Sequence, residues 1–345
     1  MSTVDTSTMP PGAAAQHILQ MGTGYIVSAA LHAATTLGIA DHLAAGSMTT
    51  ADLAKAVGAN EDALYRILRA LAMVGIFAET GPRTFGLTPA ATVLRSGVPG
   101  SVRELVTWLC DPFHFRVYAE TLHSVKTGEP AGDRVVGMPV FEYLAKEPAL
   151  SASFNNAMTA FSASLGHAVL EAYDFSGIGT VVDVAGGHGM LIASILQKCP
   201  GMQGILFDVD HVIAGARLGE LGVKDRCRTA SGDFFTAVPA GGDAYVLKHV
   251  IHDWDDDRAA TILRNVRTAL EGVPNGRVIL VESVITPGND PDFAKLLDLE
   301  MLVLPGGRER TAEDFRALFT RSGFHLTQIV PTTSPVSVIE ARLSR

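Results

Sequence analysis

From about residue 177 onward, short β-branched hydrophobic runs alternate with stretches of helical periodicity. The runs are TVVDV, QGILFD, CRTASGD, AYVLKHV, RVILVES, HLTQIV and SVIEAR. Between them the pattern predicts helices around 189–198, 211–219, 256–271, 292–302 and 311–322. Five buried strands separated by helices indicate a doubly wound α/β sheet that is mostly parallel. Because only PTTSP joins the last two runs, we expect an antiparallel final strand.

The N-terminal region has a helical pattern that ends in a small hairpin. Thr49 or Thr50 can cap a short helix, and Asn60 can cap a second helix whose leucines recur at helical spacing. Gly75 ends that helix, and two short strands follow around 76–79 and 84–87, joined by Gly81 and a proline. We therefore expect a mainly helical, winged-helix-like domain.

Such a unit serves either DNA binding or packing between subunits. Between residues 49 and 95 there are five basic and four acidic side chains, a net charge of +1. Acidic residues also lie at both helix starts, which is a poor surface for a phosphate backbone. We favour a dimerisation module and expect a homodimer in which residues 16–100 interlock with the partner. The apolar side chains near residues 18–31 support that expectation.

Residues 101–176 are predicted to be helical and contain an aromatic cluster, WLCDPFHFRVY. Aromatic residues make up only 7% of the chain, so this local concentration is unusual. Ordinary core packing explains any one ring. As a set, the rings could also line an apolar pocket.

Composition narrows the class of protein. Hydrophobic residues make up 47% of the 345 residues, which excludes a disordered chain, and no apolar run is long enough for a membrane-spanning helix. The formal charge of −9 argues against nucleic-acid binding. Three widely spaced cysteines favour neither a disulfide framework nor a zinc site, and they suit a reducing cytoplasm. The first 15 residues contain no secretory signal pattern, and we expect them to form a disordered tail.

Three successive predicted strands end in residues that suit a nucleoside. The first ends in AGGHG, where glycines permit a tight turn and a close backbone approach. This loop matches neither the dinucleotide fingerprint nor the P-loop. Asp208 ends the second strand and is placed to accept hydrogen bonds from ribose hydroxyls. Asp233 and Phe234, after the third, offer an acceptor and a ring for an adenine. We therefore predict a nucleoside site without phosphate recognition.

The series VDVAGGHG, FDVDHVI, SGDFF, VLKHVIHDWDDD, VILVES and PGGRERT resembles that of S-adenosylmethionine-dependent O-methyltransferases of the plant caffeate type. That family also includes bacterial antibiotic and animal hydroxyindole enzymes, and the similarity runs from about residue 16 to the C-terminus. It implies a helical, winged-helix-like dimerisation domain followed by a Rossmann-like methyltransferase domain. It further implies cofactor-binding and acceptor-binding residues, which are Gly186, Gly187, Asp208, Asp233, Phe234 and Lys248 for S-adenosylmethionine, and Phe154, Met158 and Ser162 for the acceptor.

The same resemblance implies the reaction chemistry. An aromatic hydroxyl is a weak nucleophile until its proton is removed, and a histidine can accept that proton. His252, in HDW, matches the family's base, and Glu282 and Glu309 resemble its flanking acids. A salt bridge from Glu309 to Arg308 or Arg310 is an alternative role. The aspartates after His252 are assigned mostly to capping and helix-dipole roles.

His249 is interpreted as a core histidine, and no metal is expected, because HVIH lies in a strand-to-loop setting rather than on a helix face. The predicted domains are a tail over 1–15, a dimerisation domain over 16–100, a helical linker and pocket region over 101–176, and a methyltransferase domain over 177–345. Methyl transfer to a phenol, polyketide, phenazine or indole is the favoured function. The alternatives are a hydroxylation or decarboxylation on the same fold, and a ligand-binding regulator.

Overall fold

A computed structural model describes residues 10–344, which form two compact units. One unit comprises the described residues as far as Phe115 together with Ala152–Phe161. The other comprises Arg116–Ser151 and the chain from Ser162 onward. The predicted tail over 1–15 falls largely on residues 1–9, outside the described residues, and a helix begins within its remainder, at Pro11. The predicted domain boundaries stay a prediction.

The first unit begins with helices and a three-stranded sheet. Its elements in chain order are α1 (Pro11–Gly22), α2 (Gly24–Thr36), α3 (Ile39–His42), a 3-10 turn (Leu43–Ala45), β1 (Met48–Thr49), α4 (Thr50–Val57), α5 (Glu61–Met73), β2 (Phe77–Gly81), β3 (Thr84–Leu87), α6 (Pro89–Thr92) and α7 (Arg103–Leu109). Strand β3 lies between β1 and β2 and pairs antiparallel with both.

The caps of α4 and α5 explain why these helices start where they do. The Thr49 hydroxyl accepts a hydrogen bond from the Asp52 amide at 3.2 Å, and the Asn60 side chain accepts one from the Ala63 amide at 3.0 Å. Each bond satisfies an amide that the helix itself leaves unpaired. The predicted winged-helix-like arrangement of helices and hairpin is confirmed.

Five helices connect this region to the large sheet. They are α8 (Pro112–Tyr118), α9 (Thr121–Thr127), α10 (Ala131–Val136), α11 (Val140–Lys146) and α12 (Pro148–Ala172). Among residues 10–344, no single helix is both long and apolar enough to cross a membrane. The pair Gly12–Thr36 and Ile39–Ala45 reaches the required length and composition only together, with a bend of 55° between them.

The second unit is built on a seven-stranded sheet flanked by helices. The strands are β4 (Thr180–Val184), β5 (Gln203–Asp208), β6 (Cys227–Ser231), β7 (Ala244–Lys248), β8 (Arg277–Glu282), β9 (Phe324–Pro331) and β10 (Ser337–Leu343). The helices are α13 (Met190–Lys198), α14 (Asp210–Ile213), α15 (Asp256–Ala269), α16 (Phe293–Val303) and α17 (Ala312–Arg321), with a 3-10 turn over Ile251–Asp253.

The strand order is β6-β5-β4-β7-β8-β10-β9, with β10 antiparallel to both of its neighbours and the other pairs parallel. This confirms the predicted doubly wound sheet with its antiparallel final strand. Strand order reverses between β4 and β7, so the carboxyl ends of these strands mark the crevice where such sheets bind ligands. Val182, Leu247 and Leu280 are fully buried in the sheet centre, as expected for strands covered on both faces.

One predicted helix is wrong in length. The pattern predicts a helix over 211–219, but α14 ends at Ile213 and the chain continues mainly as turns until β6. Gly215, Gly219 and Gly222 interrupt the segment, and glycine weakens a helix interior. The hydrophobic periodicity alone does not register that cost.

Candidate active site

The glycine-rich loop after β4 is shaped by close backbone packing. A β-carbon on Gly186 would lie 2.5 Å from a Leu206 methyl group and 2.6 Å from the Asp183 carboxylate, so only glycine fits there. Gly187 has a φ of +59°, in the left-handed region that favours glycine, and a β-carbon there would meet only open space. The loop therefore combines tight internal packing with an open outer face.

Asp208, at the end of β5, is held against this loop. Its Oδ2 accepts a hydrogen bond from the Gly187 amide at 2.9 Å, and its Oδ1 accepts one from the Val209 amide at 2.8 Å. Burial raises the pKa of Asp208, while these two amides act in the opposite direction. Each oxygen keeps a second lone pair, so the fixed carboxylate can accept further hydrogen bonds from two hydroxyls.

The loop after β6 is also preorganised. Asp233 is exposed, and its carboxylate accepts hydrogen bonds from the Phe235 amide at 2.8 Å and the Thr236 hydroxyl at 3.2 Å. The Phe234 ring stands nearly edge-on to Phe235 and Trp254, with centroid distances of 4.8 and 6.1 Å. Asp233 thus stabilises the turn that presents the ring, a role that the sequence did not reveal.

Asp183 lies buried beneath the glycine loop and interacts with the charge of Lys248. Burial raises the pKa of Asp183 to about 7, partly offset by the charge of Lys248. Lys248 ends β7. Burial lowers the pKa of Lys248, while the negative charges of Asp183, Glu282 and Asp253 act in the opposite direction. The Oδ2 atom of Asp183 has no hydrogen-bond partner within residues 10–344. A buried, unpaired carboxylate oxygen fits a site that receives a cationic ligand.

His252 lies in the 3-10 turn after β7, and the two predicted acids lie beside it. Its Nδ1 is 2.6 Å from Oε1 of Glu309 and 3.7 Å from Oε2 of Glu282. The other oxygen of Glu282 accepts hydrogen bonds from the Val250 and Ile251 amides at 3.0 and 2.9 Å. Because a carboxylate only accepts, Nδ1 carries the proton that is shared with Glu309. The second ring nitrogen, Nε2, is then the atom that can exchange a proton.

The carboxylates determine the charge of this imidazole. Burial alone lowers the pKa of His252, but the negative charges of Glu282, Asp253 and Glu309 outweigh that effect and raise it to about 10. Asp253 lies 3.6 Å from Nε2, and burial raises the pKa of Asp253 to about 6. In the ligand-free protein at neutral pH, the imidazole is therefore protonated.

The aspartates after His252 have different roles. Asp255 caps α15 as expected, by accepting hydrogen bonds from the amides of residues 257 and 258. Asp256 and Asp257 pair with Arg310 and Arg321, respectively. The capping role assigned to Asp253 is wrong, because its side chain is directed at the imidazole.

Arg310 and Gly307 hold the His252 turn, and the sequence did not single out either for this role. The fully buried Arg310 guanidinium donates to the Ile251 and Trp254 carbonyls at 2.9 and 3.0 Å and to Asp256 at 2.7 Å. The alternative pairing of Glu309 with this arginine is therefore wrong. The signal that could have found both residues is their place in PGGRERT, within two positions of Glu309.

His249 also lies in this cluster. Its ring centroid is 4.8 Å from that of His252, and its Nδ1 is 3.7 Å from Oε2 of Glu282. The backbone has a φ of +51°, which is uncommon for a residue other than glycine. Burial holds the pKa of His249 well below its usual value. The interpretation as an ordinary core histidine misses this proximity to the predicted base.

The three predicted acceptor-binding residues lie four positions apart on one face of α12. Phe154 and Met158 belong to the first unit and are partly buried, whereas Ser162 belongs to the second and is buried. Within the first unit, the Trp108 ring packs edge-on against Phe154 at 5.2 Å and His114 at 4.6 Å. The predicted aromatic cluster therefore forms around Trp108.

Comparison with known families defines the class of protein. Residues 118–325 match the family described as an O-methyltransferase domain, and residues 19–97 match the O-methyltransferase dimerisation domain. This chain belongs to the S-adenosylmethionine-dependent O-methyltransferases. The predicted family, enzyme class and cofactor are confirmed, and the alternatives of a regulator or a different reaction receive no support.

Individual relatives resemble the chain over nearly its whole length. It is 46% identical to the phenazine O-methyltransferase PhzM of Lysobacter antibioticus, over 94% of this chain and 95% of that protein. The crystal structure of LaPhzM matches with a TM-score of 0.92 and 45% identity, covering 97% of this chain and all of that one. A neocarzinostatin-biosynthesis O-methyltransferase was crystallised with S-adenosyl-L-homocysteine and 1,4-dihydroxy-2-naphthoic acid. It matches with a TM-score of 0.77 and 33% identity, covering 92% and 96% of the two chains.

Proposed function

We propose that this enzyme methylates a hydroxyl group on a flat, fused-ring aromatic acceptor of the hydroxyphenazine type, with His252 as the general base. The observation that carries the proposal is the 2.6 Å hydrogen bond between His252 Nδ1 and Glu309. That bond fixes the ring and leaves Nε2 to take the acceptor's proton. Glu282 supports the same nitrogen from 3.7 Å.

The pKa of this base matches its task. Bound S-adenosylmethionine supplies a methyl group that is already activated for in-line displacement. A phenolic hydroxyl has a pKa of about 10. The carboxylates raise the pKa of His252 to about 10, so proton transfer between the two groups is nearly balanced once Nε2 is unprotonated. The chain's part is to orient the acceptor and to remove its proton.

The cofactor-binding residues are proposed from the contacts that their side chains and backbone make. The Asp208 carboxylate is fixed by two amides and retains lone pairs for the ribose hydroxyls. Gly186 and Gly187 form the loop beside it. Phe234 offers a ring face for the adenine, Asp233 supports that loop, and Lys248 balances the buried carboxylate of Asp183.

The acceptor class is proposed from the relatives' names and from the aromatic cluster. A phenazine enzyme and an enzyme crystallised with a dihydroxynaphthoic acid both act on or bind fused aromatic rings. The partly exposed Phe154 ring, which packs edge-on against the buried Trp108, is a flat apolar group of the kind that such acceptors contact. Phe154, Met158 and Ser162 are proposed to contact the acceptor.

We also propose a homodimer without nucleic-acid partners, acting in the cytoplasm. Large apolar side chains on α1 and α2 are more than half exposed, which favours burial against a second copy; they are Ile18, Leu19, Met21, Tyr25 and Ile26. Light scattering that returns a single chain's mass at all concentrations would refute the dimer. The three cysteines are free thiols, which suits the reducing cytoplasm, and cell fractionation tests that location.

The test of the proposed activity is a panel of acceptors. The purified enzyme is incubated with S-adenosylmethionine and, separately, a hydroxyphenazine, an aminophenazine, a hydroxyindole and a simple catechol, and the products are analysed by mass spectrometry. We expect one added methyl group on the hydroxyphenazine oxygen at the highest kcat/KM. Turnover of the aminophenazine alone would contradict the proposal, because a hydroxyl acceptor is what requires the base.

A further inference from the structure

We propose that His249, His252 and Glu282 form a binding site for a divalent transition-metal ion of the Zn²⁺ type, and that an ion bound there inhibits methyl transfer. The binding half of this proposal stands on the structure alone. The inhibition half rests on the proposed function, because it assigns a role to the lone pair of His252.

The geometry supports the binding half. Oε2 of Glu282 lies 3.7 Å from Nδ1 of His249 and 3.7 Å from Nδ1 of His252. One possible ligand atom from each of the three residues lies within 4.8 Å of those from the other two. A tetrahedral zinc ion with bonds of about 2.1 Å spaces its ligands roughly 3.4 Å apart. Two of the three spacings therefore need to close by only a few tenths of an ångström.

The charges and the unpaired atoms also favour a cation. Oε2 of Glu282 and Oε2 of Glu309 are buried and have no hydrogen-bond partner within residues 10–344. An unpaired buried carboxylate oxygen is costly, and a bound dication would remove that cost. Oε1 of Glu309 lies 2.6 Å from His252 Nδ1, so the negative charge of a second carboxylate borders the site. Two imidazoles and a carboxylate are ligands that Zn²⁺ accepts readily.

The backbone of His249 is consistent with a built site. Its φ of +51° is a conformation that glycine and asparagine adopt more easily than histidine. The chain nevertheless places a histidine there, with its ring directed at Glu282. Strained residues of this kind cluster at binding and catalytic sites.

The tautomer of His252 explains why a bound ion would inhibit. In the active arrangement, Nδ1 donates its proton to Glu309, and Nε2 offers the lone pair that accepts the acceptor's proton. An ion on Nδ1 occupies that nitrogen's lone pair, so the neutral ring must carry its proton on Nε2. The base then has no lone pair directed at the acceptor. Magnesium, which prefers oxygen ligands in an octahedron, is not expected to bind here.

The test uses Co²⁺ as a spectroscopic stand-in for Zn²⁺. Full-length enzyme is freed of metal with a chelator, dialysed, and titrated with Co²⁺ in a non-coordinating buffer. We expect the visible absorption bands of a tetrahedral nitrogen and oxygen site, without the near-ultraviolet band that binding to the free cysteines would give. His249→Asn removes a ligand while suiting the left-handed backbone, and it should weaken Co²⁺ binding by about 100-fold or more.

The matched control is His167→Asn. His167 is exposed and lies 3.1 Å from Glu171 one turn away, so this surface pair could itself bind Co²⁺ and mimic the signal. We expect this variant to bind Co²⁺ like the unaltered enzyme. If the bands are absent from the unaltered enzyme, or survive in His249→Asn, or vanish in His167→Asn, the site is not the one proposed. Glu282→Gln, tested for Co²⁺ binding only, covers the case in which His249→Asn fails to fold.

Inhibition is measured separately, so that the two halves can fail independently. Micromolar Zn²⁺ should abolish methylation, a chelator should restore it, and His249→Asn should stay active at the same Zn²⁺ concentration. Zn²⁺ sensitivity that persists in His249→Asn would overturn the inhibition half. If no acceptor is methylated at all, the proposed function fails, but the Co²⁺ titration still decides whether the site exists.

Discussion

Gly307 packs directly against the backbone of His252. A β-carbon built on Gly307 would lie 2.0 Å from the His252 carbonyl oxygen and 2.4 Å from the Asp253 carbonyl carbon. The neighbouring Arg308 amide donates to the same His252 oxygen at 2.8 Å. The segment that carries Glu309 is therefore tied to the turn that carries the proposed base, and glycine is required at the point of closest approach.

Gly307→Ala should displace this turn, because the added carbon would meet backbone atoms that cannot rotate away. We expect kcat to fall by at least about 100-fold, since a displacement of about 1 Å at a reacting group has that effect. Gly201→Ala is the control: a β-carbon there meets no atom within 4 Å, and its φ is not positive. Steady-state kinetics and circular dichroism of both variants check the prediction. An active Gly307→Ala enzyme would mean that the turn tolerates displacement.

Glu309→Gln should change the pH dependence of catalysis. The Glu309 charge helps to raise the pKa of His252, so removing that charge lowers this pKa. The enzyme acts as a base only with Nε2 unprotonated, so kcat/KM for the acceptor should rise with pH. Its midpoint should lie above the ordinary histidine value of about 6.5 in the unaltered enzyme. The variant's midpoint should move to lower pH.

The control is Glu313→Gln, on the exposed start of α17, whose midpoint should match that of the unaltered enzyme. An unshifted midpoint in Glu309→Gln would contradict the assigned effect of Glu309 on His252.

Asp183→Asn should alter how stability depends on pH. Burial raises the pKa of Asp183 from 3.8 to about 7, so between these values the folded chain holds a proton that the unfolded chain releases. The free energy of unfolding therefore falls as pH rises through that window. Asparagine removes this contribution, so the variant's Tm should decline less between pH 4 and pH 7. Thermal unfolding of the ligand-free protein, with the exposed Asp290→Asn as control, measures the difference. Parallel curves for variant and unaltered enzyme would refute a raised pKa.

Asp208→Ala should weaken cofactor binding more than it slows turnover at saturating cofactor. The substitution removes the carboxylate that is proposed to accept hydrogen bonds from the ribose hydroxyls. The same carboxylate accepts the hydrogen bond from the Gly187 amide. We expect the Kd for S-adenosyl-L-homocysteine, measured by titration calorimetry, to rise by about 10-fold or more, roughly the effect of losing two hydrogen bonds. The exposed Asp225→Ala should bind like the unaltered enzyme. If NAD binds more tightly than S-adenosyl-L-homocysteine, the assignment of the nucleoside site is wrong.

The sequence predicts the sheet for physical reasons, whereas the proposed base and its acids are implied by the family resemblance. Buried parallel strands require continuous apolar runs, and the crevice at the strand ends places His252 and Glu282 on one edge. Residues whose role depends on long-range approach were not predictable. The chain folds back on itself to bring Gly307 against His252. The same fold lets Arg310 donate to Ile251, Trp254 and Asp256.

His249 shows the same limit in another form. Its spacing from His252 on a strand-to-loop segment gives no helical face, so the sequence pattern favours a core histidine. The positive φ at His249 redirects its ring toward Glu282, and no local propensity predicts that conformation for histidine. Hydrophobic periodicity likewise overestimates the length of α14, because it takes no account of the glycines that interrupt the segment.

The role of His252 as the group that accepts the acceptor's proton is decided by comparing the His252→Ala variant on two hydroxyphenazines of different acidity. One is an ordinary hydroxyphenazine, and the other carries a nitro group, so that its hydroxyl is already ionised at the assay pH. We predict that His252→Ala loses about 10²- to 10⁴-fold in kcat on the first acceptor and much less on the second, with cofactor Kd unchanged. An equal loss on both acceptors, with both shown to bind, would contradict the account, since His252 would then position the acceptor or support the fold rather than remove its proton.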